Sequence, residues 1–509
     1  RVVRSHGKLR HVLKSGQRKQ PGSRSKFSCR FKIQDQDESR RGGGPVLQVM
    51  QCGFAFYEAG SVRSKNVTNI LIKNVIDSFI AGVAYWIFGF ALAYGEGNKF
   101  IGYSNFALKG VPTTEYANFF FQYSFAASTA TIVSGAVAER CEFLAYFVYS
   151  FLITGVVYPV ATHWYWGGGF LAQGVDYGGD IGVVTYIDFA GSGLVHVIGG
   201  SAGFVGAAIL GPRVGRFGKT SNSDMIVRGH SVPIAALGGF ILLFGFLAFN
   251  GGSLGTISNP GDGAIVSRVI VNTIIAASFA AFSSLFVARW TPIGSRHWSL
   301  MATLNGALTG MVSVCAGCNV LNPWQSAIMG LGAGVVYHLV SQGVQKLGVD
   351  DPLDACALHF GGGVWALVML AFFHKDEGIF FHWNARSGLF LCWQLAGLGV
   401  ILLWTVATTG LIFGVLRLLK VLRVPEEMEI RGLDIPKHHE PAYPVEAYGH
   451  GHIERMLRAL LYHSDVDGAK RKPKKGHGVD YWSLEDKGPY ENPEVRQFAV
   501  FKAQHGNKE

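Results

Sequence analysis

The strongest constraint in this sequence is a succession of eleven apolar segments, near residues 45–60, 69–94, 116–138, 143–160, 189–210, 231–253, 265–288, 299–316, 320–343, 353–373 and 390–419. Most are long enough to cross the hydrocarbon core of a bilayer as helices. Water is absent there, so each crossing backbone must pair its own polar groups, which a helix does. The expected fold is therefore an all-α polytopic membrane protein. The chain is 49% hydrophobic and 16% charged with 67 glycines, a composition suited to helices that pack through small residues.

An odd number of spans puts the termini on opposite sides. Loops after segments 1, 3, 5, 7 and 9 hold ten basic residues: Arg63, Lys65, Arg140, Arg213, Arg216, Lys219, Arg228, Arg289, Arg296 and Lys346. The opposite loops hold five: Lys99, Lys109, Arg268, Lys375 and Arg386. The positive-inside bias thus places the N-terminus outside and the C-terminus in the cytosol. Residues 1–44 run against it, with 13 Lys+Arg against 3 Asp+Glu, a charge of +10. They are read as a stretch outside the fold, a basic presequence or a mis-joined exon, with the membrane domain at 45–419 and a polar cytosolic tail at 420–509. The remaining chain is near neutral, so no nucleic-acid partner is expected. The basic run at 470–475 reads as solvated tail, with contact to anionic membrane lipid as the alternative.

The seven cysteines are scattered and form no disulfide framework. Cys315 and Cys318 make a lone CxxC without a second pair, so no metal and no cofactor is expected. No nucleophile motif or phosphate loop appears, and the chain does not read as an enzyme.

Chemistry concentrates in two spans. Segment 5 opens DFAGSGLVHVIGG, with Asp188 at its mouth and His196 inside. Segment 10 reads DACALHFGGG, with Asp354 and His359. Five spans separate the two, so the second copy is inverted, and inverted repeats place functional sites at their interface near the midplane. Ionisable groups at that depth mark pathways by default. A pair of neutral imidazoles, each donating one hydrogen bond and accepting another, suits a small polar neutral molecule or a proton relay. Each also has a structural reading as a satisfied core histidine.

The motifs QCGFAFYEAGSVRSKN, FFFQYSFAASTATIVSGAVAER, HWYWGGG, DFAGSGLVHVIGG, FLAFNGGS and DDPLDACALHFGGGVWA occur in that order. Across residues 46–445 the chain resembles the ammonium transporters of the Amt/Mep type. The resemblance implies eleven transmembrane helices in two inverted five-helix repeats plus a C-terminal span, one pore per protomer, a homotrimer and residence in the plasma membrane. It also implies an outer site for ammonium or methylammonium at Trp166, Phe125, Ser253 and Asp188. Below that site it implies a phenyl gate of Phe125 and Phe249, and a twin-histidine pore of His196 and His359. In the tail, Gly432 and Asp434 match a regulatory stretch, and Pro436 stands where some relatives carry a phosphorylatable Thr. The first helix departs from the pattern, because the basic stretch replaces its beginning. The structural alternatives are an interfacial belt for Trp166, ordinary packing for the phenylalanines and an N-cap for Asp188. In place of a transporter, the same features also allow an ammonium sensor with little flux or a passive NH3/CO2 channel.

Overall fold

The computed structural model describes residues 47–217 and 227–444. The stretch 1–44, Lys219 and the run at 470–475 lie outside the described residues. Among the described residues, eleven helices follow the eleven apolar segments. They are α1 (47–61), α2 (Ser64–Tyr94), α3 (Tyr116–Ala136), α4 (Phe143–Gln173), α5 (Ser192–Leu210), α6 (Val232–Gly252), α7 (Asp262–Trp290), α8 (Leu300–Val314), α9 (Pro323–Lys346), α10 (Cys356–Phe373) and α11 (Ala385–Leu418). Eight of them, all but α1, α3 and α8, are long and apolar enough to cross a membrane. The hydroxyls of helix α3 are accommodated among apolar neighbours because they return to their own backbone. Ser128, Thr129 and Thr131 donate to the carbonyls of Ser124, Phe125 and Ala127 at 2.8, 2.9 and 2.9 Å. The connection from α4 to α5 carries a two-stranded antiparallel hairpin, Val175–Asp176 with Val183–Val184.

Sequence signals set several helix starts. Ser231 accepts from the Ile234 amide before α6, Ser299 from Ala302 before α8 and Asn384 from Ser387 before α11. Asn322 and Gln325 form a capping box at α9. Outward faces are apolar, with Leu403, Leu411 and Phe79 among the most exposed side chains, as lipid contact requires.

Helices α5 and α10 share an unusual opening. Each starts with one π-turn, Ser192–Val197 and Cys356–Gly361, and each π-turn contains the histidine. The matching acids differ from the sequence expectation. Asp188 lies eight residues before His196 and accepts from the amide five residues on, Gly193, at 2.9 Å. Asp351, eight residues before His359, likewise accepts from the amide five residues on, Cys356, at 2.7 Å. Asp354, the expected counterpart, instead accepts from Tyr337 and Ser341 at 2.9 and 2.8 Å. The register of the cap, not nearness to the histidine, decides the equivalence.

Loops after α1, α3, α5 and α9 gather on one face, held by a buried ion network. Arg63 and Arg213 both reach Glu139 at 2.9 and 2.5 Å, and Arg213 also reaches Asp350 at 2.7 Å. Burial alone would raise the Glu139 carboxyl, but the two guanidiniums hold it down at about 2. Asp350 is likewise held at about 2, against burial, by Arg213 and Arg140.

Candidate functional site: an aromatic file ending on two histidines

The conformation between Trp166 and α5 is set by Asp188, which is fully buried. One carboxylate oxygen accepts from Gly191 at 3.1 Å, and the other from Gly193 and Leu194 at 2.9 Å each. These are first-turn amides that have no partner inside the helix. The Asp188 carbonyl accepts from Trp166 Nε1 at 3.0 Å. One residue thus fixes both the start of α5 and the indole. Gly191 lies between them at φ +90°, and a Cβ there would stand 3.0 Å from the Trp166 ring. Asp188 therefore serves the first amides of α5 from three residues before the N-cap position, which Gly191 occupies, and it is coupled to the aromatic site.

From Trp166 inward the rings touch in file. Trp166 and Phe125 have centroids 5.4 Å apart, and Phe125 and Phe249 are 4.5 Å apart at 67°. Phe249 lies 5.2 Å from His196, and His196 stacks on His359 at 5.1 Å with 12° between the planes. Phe125 and Phe249 are buried and meet edge-to-face. Trp166 is half-buried. Ser253 just follows the end of α6, and its hydroxyl donates to the Phe249 carbonyl at 2.7 Å. Five of the seven expected side chains form a continuous line; Asp188 joins it through its carbonyl at Trp166 and Ser253 through the Phe249 backbone.

The two histidines meet through Nδ1, 3.1 Å apart. A contact that short accommodates one hydrogen, so one ring donates and the other accepts, and the two Nδ1 atoms cannot both be protonated. Their roles can exchange if protons move on the Nε2 side.

Four further residues belong to this site. Phe246 flanks His196 at 5.6 Å, and Phe54 lies 6.3 Å from His359. Cys315 Sγ is 3.8 Å from His196 Nε2 and 3.0 Å from Asn250 Oδ1. Cys315 of the CxxC therefore has a histidine beside it. Among the described residues, however, no group of three or more His, Cys, Asp or Glu could hold a metal ion. The spacing of eight between Asp188 and His196, repeated in Asp351 and His359, is the signal in the sequence that points to Asp351. No comparable signal marks Phe54 or Cys315.

The tail residues sit far along the chain but against the odd-loop face. Asp434 accepts from the Asn69 amide at 2.8 Å at the start of α2, and burial raises its carboxyl to about 6 despite the amides that favour the anion. Gly432, at φ +93°, leaves its Cα side to Lys65, whose Cβ is 2.5 Å from where a Cβ would stand. Glu429 is buried and accepts from the Val214 amide at 2.7 Å, and Lys437 pairs with Glu142 at 2.9 Å.

The sequence matches the Ammonium Transporter Family over residues 45–443. It is 48% identical over 425 residues to the Caenorhabditis elegans protein named "Putative ammonium transporter 1", covering 80% of this chain and 78% of that one. "Ammonium transporter 1 member 3" of Solanum lycopersicum is 40% identical over 422 residues, covering 78% of this chain and 90% of that one. A solved structure titled "Sensor Amt Protein" superposes with a TM-score of 0.72 at 31% identity, covering 80% of this chain and 99% of that one. Candida albicans Mep2 superposes at 0.67 with 25% identity, covering 77% and 87%. On its membrane helices, its motifs and these likenesses, the chain belongs to the ammonium transporter family.

Proposed function

We propose that this chain transports ammonium across the plasma membrane, recruiting NH4+ at the outer end of the aromatic file and passing NH3 along the histidines. The observation that carries the reading is the unbroken order Trp166, Phe125, Phe249, His196, His359. The faces of Trp166 and Phe125 attract a small cation by cation–π interaction. Ser253, having donated its proton to a carbonyl, keeps lone pairs that accept an ammonium N–H. The closed phenyl pair admits no hydrated ion. A cation that can lose a proton passes as NH3, which donates to and accepts from the imidazole edges. Potassium has no proton to lose. Three such protomers form the homotrimer, with the odd-loop face and the tail in the cytosol.

The test is labelled methylammonium uptake in yeast lacking its own ammonium transporters. Saturable uptake, competed by ammonium and not by potassium, is the expected result. Protein at the cell surface with no uptake would overturn the transport reading. A second reading, an ammonium sensor, is favoured by the likeness to the structure titled as a sensor and by the tail's contacts with the core loops. It requires signalling from a variant that binds ammonium without flux. A passive NH3/CO2 channel would show neither saturation nor current.

A further inference from the structure

Beside the pore, in the wall built by α1 to α4, lie two carboxyl groups that the proposed transport path does not use. Glu58 is 1% exposed and Asp77 is fully buried. Glu58 accepts from Asn74 Nδ2 at 2.7 Å and meets the Ser134 hydroxyl. Asp77 lies 2.5 Å from Thr131 Oγ1 and meets the Ser150 hydroxyl. Asn74 and Asp77 are a turn apart on α2, as Ser134 and Thr131 are on α3, so the two acids lie along one seam. Lys73, the cation on the same stretch of α2, is turned to the Cys141 carbonyl at 2.9 Å and lies over the Tyr146 ring. The other ionisable side chains that face the pair and Lys73 include Tyr123 of α3, Tyr146 and Tyr149 of α4, and Cys141 before it.

The Thr131 hydroxyl has one hydrogen but three oxygens within reach: Ala127 O at 2.9 Å, Gln51 Oε1 at 2.9 Å and Asp77 Oδ2 at 2.5 Å. A protonated Asp77 donating to Thr131, with the threonine hydrogen on the Ala127 carbonyl and the Gln51 amide turned to donate, satisfies all three contacts at once. Two unpaired anions at bilayer depth are also costly, so a proton shared here is the state of lower energy. Asn74 Oδ1 is a buried polar atom without a protein partner, which marks a place for bridging water within the cluster. Phe54, on α1 between Gln51 and Glu58, faces His359 at 6.3 Å.

We infer that Glu58 and Asp77 form a hydrated proton-holding pair that takes the proton ammonium loses and returns it on the odd-loop side. The step is NH4+ giving NH3 and H+, with the proton held as Asp77 or Glu58 carboxylic acid and no other bond broken. The inference rests on the ammonium reading. Its test reconstitutes the full chain in liposomes and records methylammonium uptake and transported charge together, with Glu58→Gln, Asp77→Asn and Thr131→Val beside wild type. Infrared spectra follow the deuterium-sensitive C=O band of protonated carboxyl groups. The expected result is continued uptake with severalfold less charge per methylammonium in the first two variants. The band should weaken in both and shift in Thr131→Val. Unchanged charge per methylammonium, uptake without charge in the wild type, or a band indifferent to all three changes would each overturn the pair. A wild type that takes up no methylammonium sinks the ammonium reading instead, while the infrared arm still decides whether the pair holds a proton.

Discussion

Gly200 of α5 lies directly against Phe360 of α10: a Cβ on Gly200 would stand 2.4 Å from the Phe360 backbone nitrogen. The relationship is reciprocal. Gly200 follows His196 by four and Phe360 follows His359 by one; Gly363 follows His359 by four, and a Cβ on it would meet Val197, which follows His196 by one, at 2.8 Å. Equivalent residues exchange contacts as they do across a two-fold axis. The histidines stand at 3.1 Å because two bare glycine backbones let the helices cross that closely.

Gly200→Ala should therefore force the crossing apart. Overpacking of this kind destabilises by about 1–3 kcal/mol. The expected outcome is a lower melting temperature in detergent and reduced uptake, with Gly363→Ala behaving alike. Wild-type stability and flux in both variants would show that the contact is slack.

Asp188→Ala strips three buried amides of their acceptor, at about 1–3 kcal/mol for each group left unsatisfied. Uptake should be abolished, because the start of α5 and the carbonyl that holds Trp166 move together. Asp188→Asn retains one oxygen acceptor, so it should fold better than the alanine variant while still transporting poorly. Folded protein at the surface that takes up methylammonium as wild type does would remove Asp188 from the site.

Much of this is legible in the sequence. Apolar length marks the spans, and serine or asparagine marks the starts of α6, α8, α9 and α11. The motif order singles out Trp166, Phe125, Phe249, His196 and His359, which do stand in line. What pattern reading cannot supply is geometry that depends on register between distant helices. Asp354 has the nearer acid-to-histidine spacing, yet Asp351 makes the cap, because a π-turn shifts which amide points at which carboxylate. Cys315 reads as half of an isolated CxxC, and its contact with His196 exists only because the turn after α8 reaches the pore. The seam of Glu58 and Asp77 joins residues 16 to 80 positions apart on four helices, and no local periodicity encodes it.

Trp166→Leu removes a ring face and the hydrogen bond to Asp188. Cation–π attraction contributes about 0.5–2 kcal/mol, so the apparent affinity for methylammonium should weaken by roughly two- to thirtyfold. Competition by potassium, measured beside it, should rise. An unchanged concentration dependence would return Trp166 to the role of a membrane-interface tryptophan.

Replacing His196 and His359 together by leucine takes every hydrogen-bonding group out of the stacked pair. Ammonia would then cross an apolar wall after losing its water. Methylammonium flux should fall or potassium should begin to pass, and either is read by uptake and current in the same cells. If neither changes, the pair is packing and not pore.

The buried ion network predicts an acid limb. The Glu139 carboxyl moves from its ordinary 4.5 to about 2 in the fold, with Arg63 and Arg213 outweighing burial. Between those values the unfolded chain binds the proton and the folded chain does not, so folding stability rises with pH. The contribution is fully present above about 4.5 and is lost as pH falls through about 2. Asp350 acts in the same direction from 3.8 to about 2. Glu139→Gln leaves both guanidiniums without the carboxylate they share, which should destabilise by about 3–5 kcal/mol at neutral pH. Its melting temperature should then depend less on pH between 4.5 and 2 than that of the wild type. Equal slopes in the two proteins would mean that the acid sensitivity arises elsewhere and that Glu139 is not the charge that ties α1, α3 and α5 together at this face.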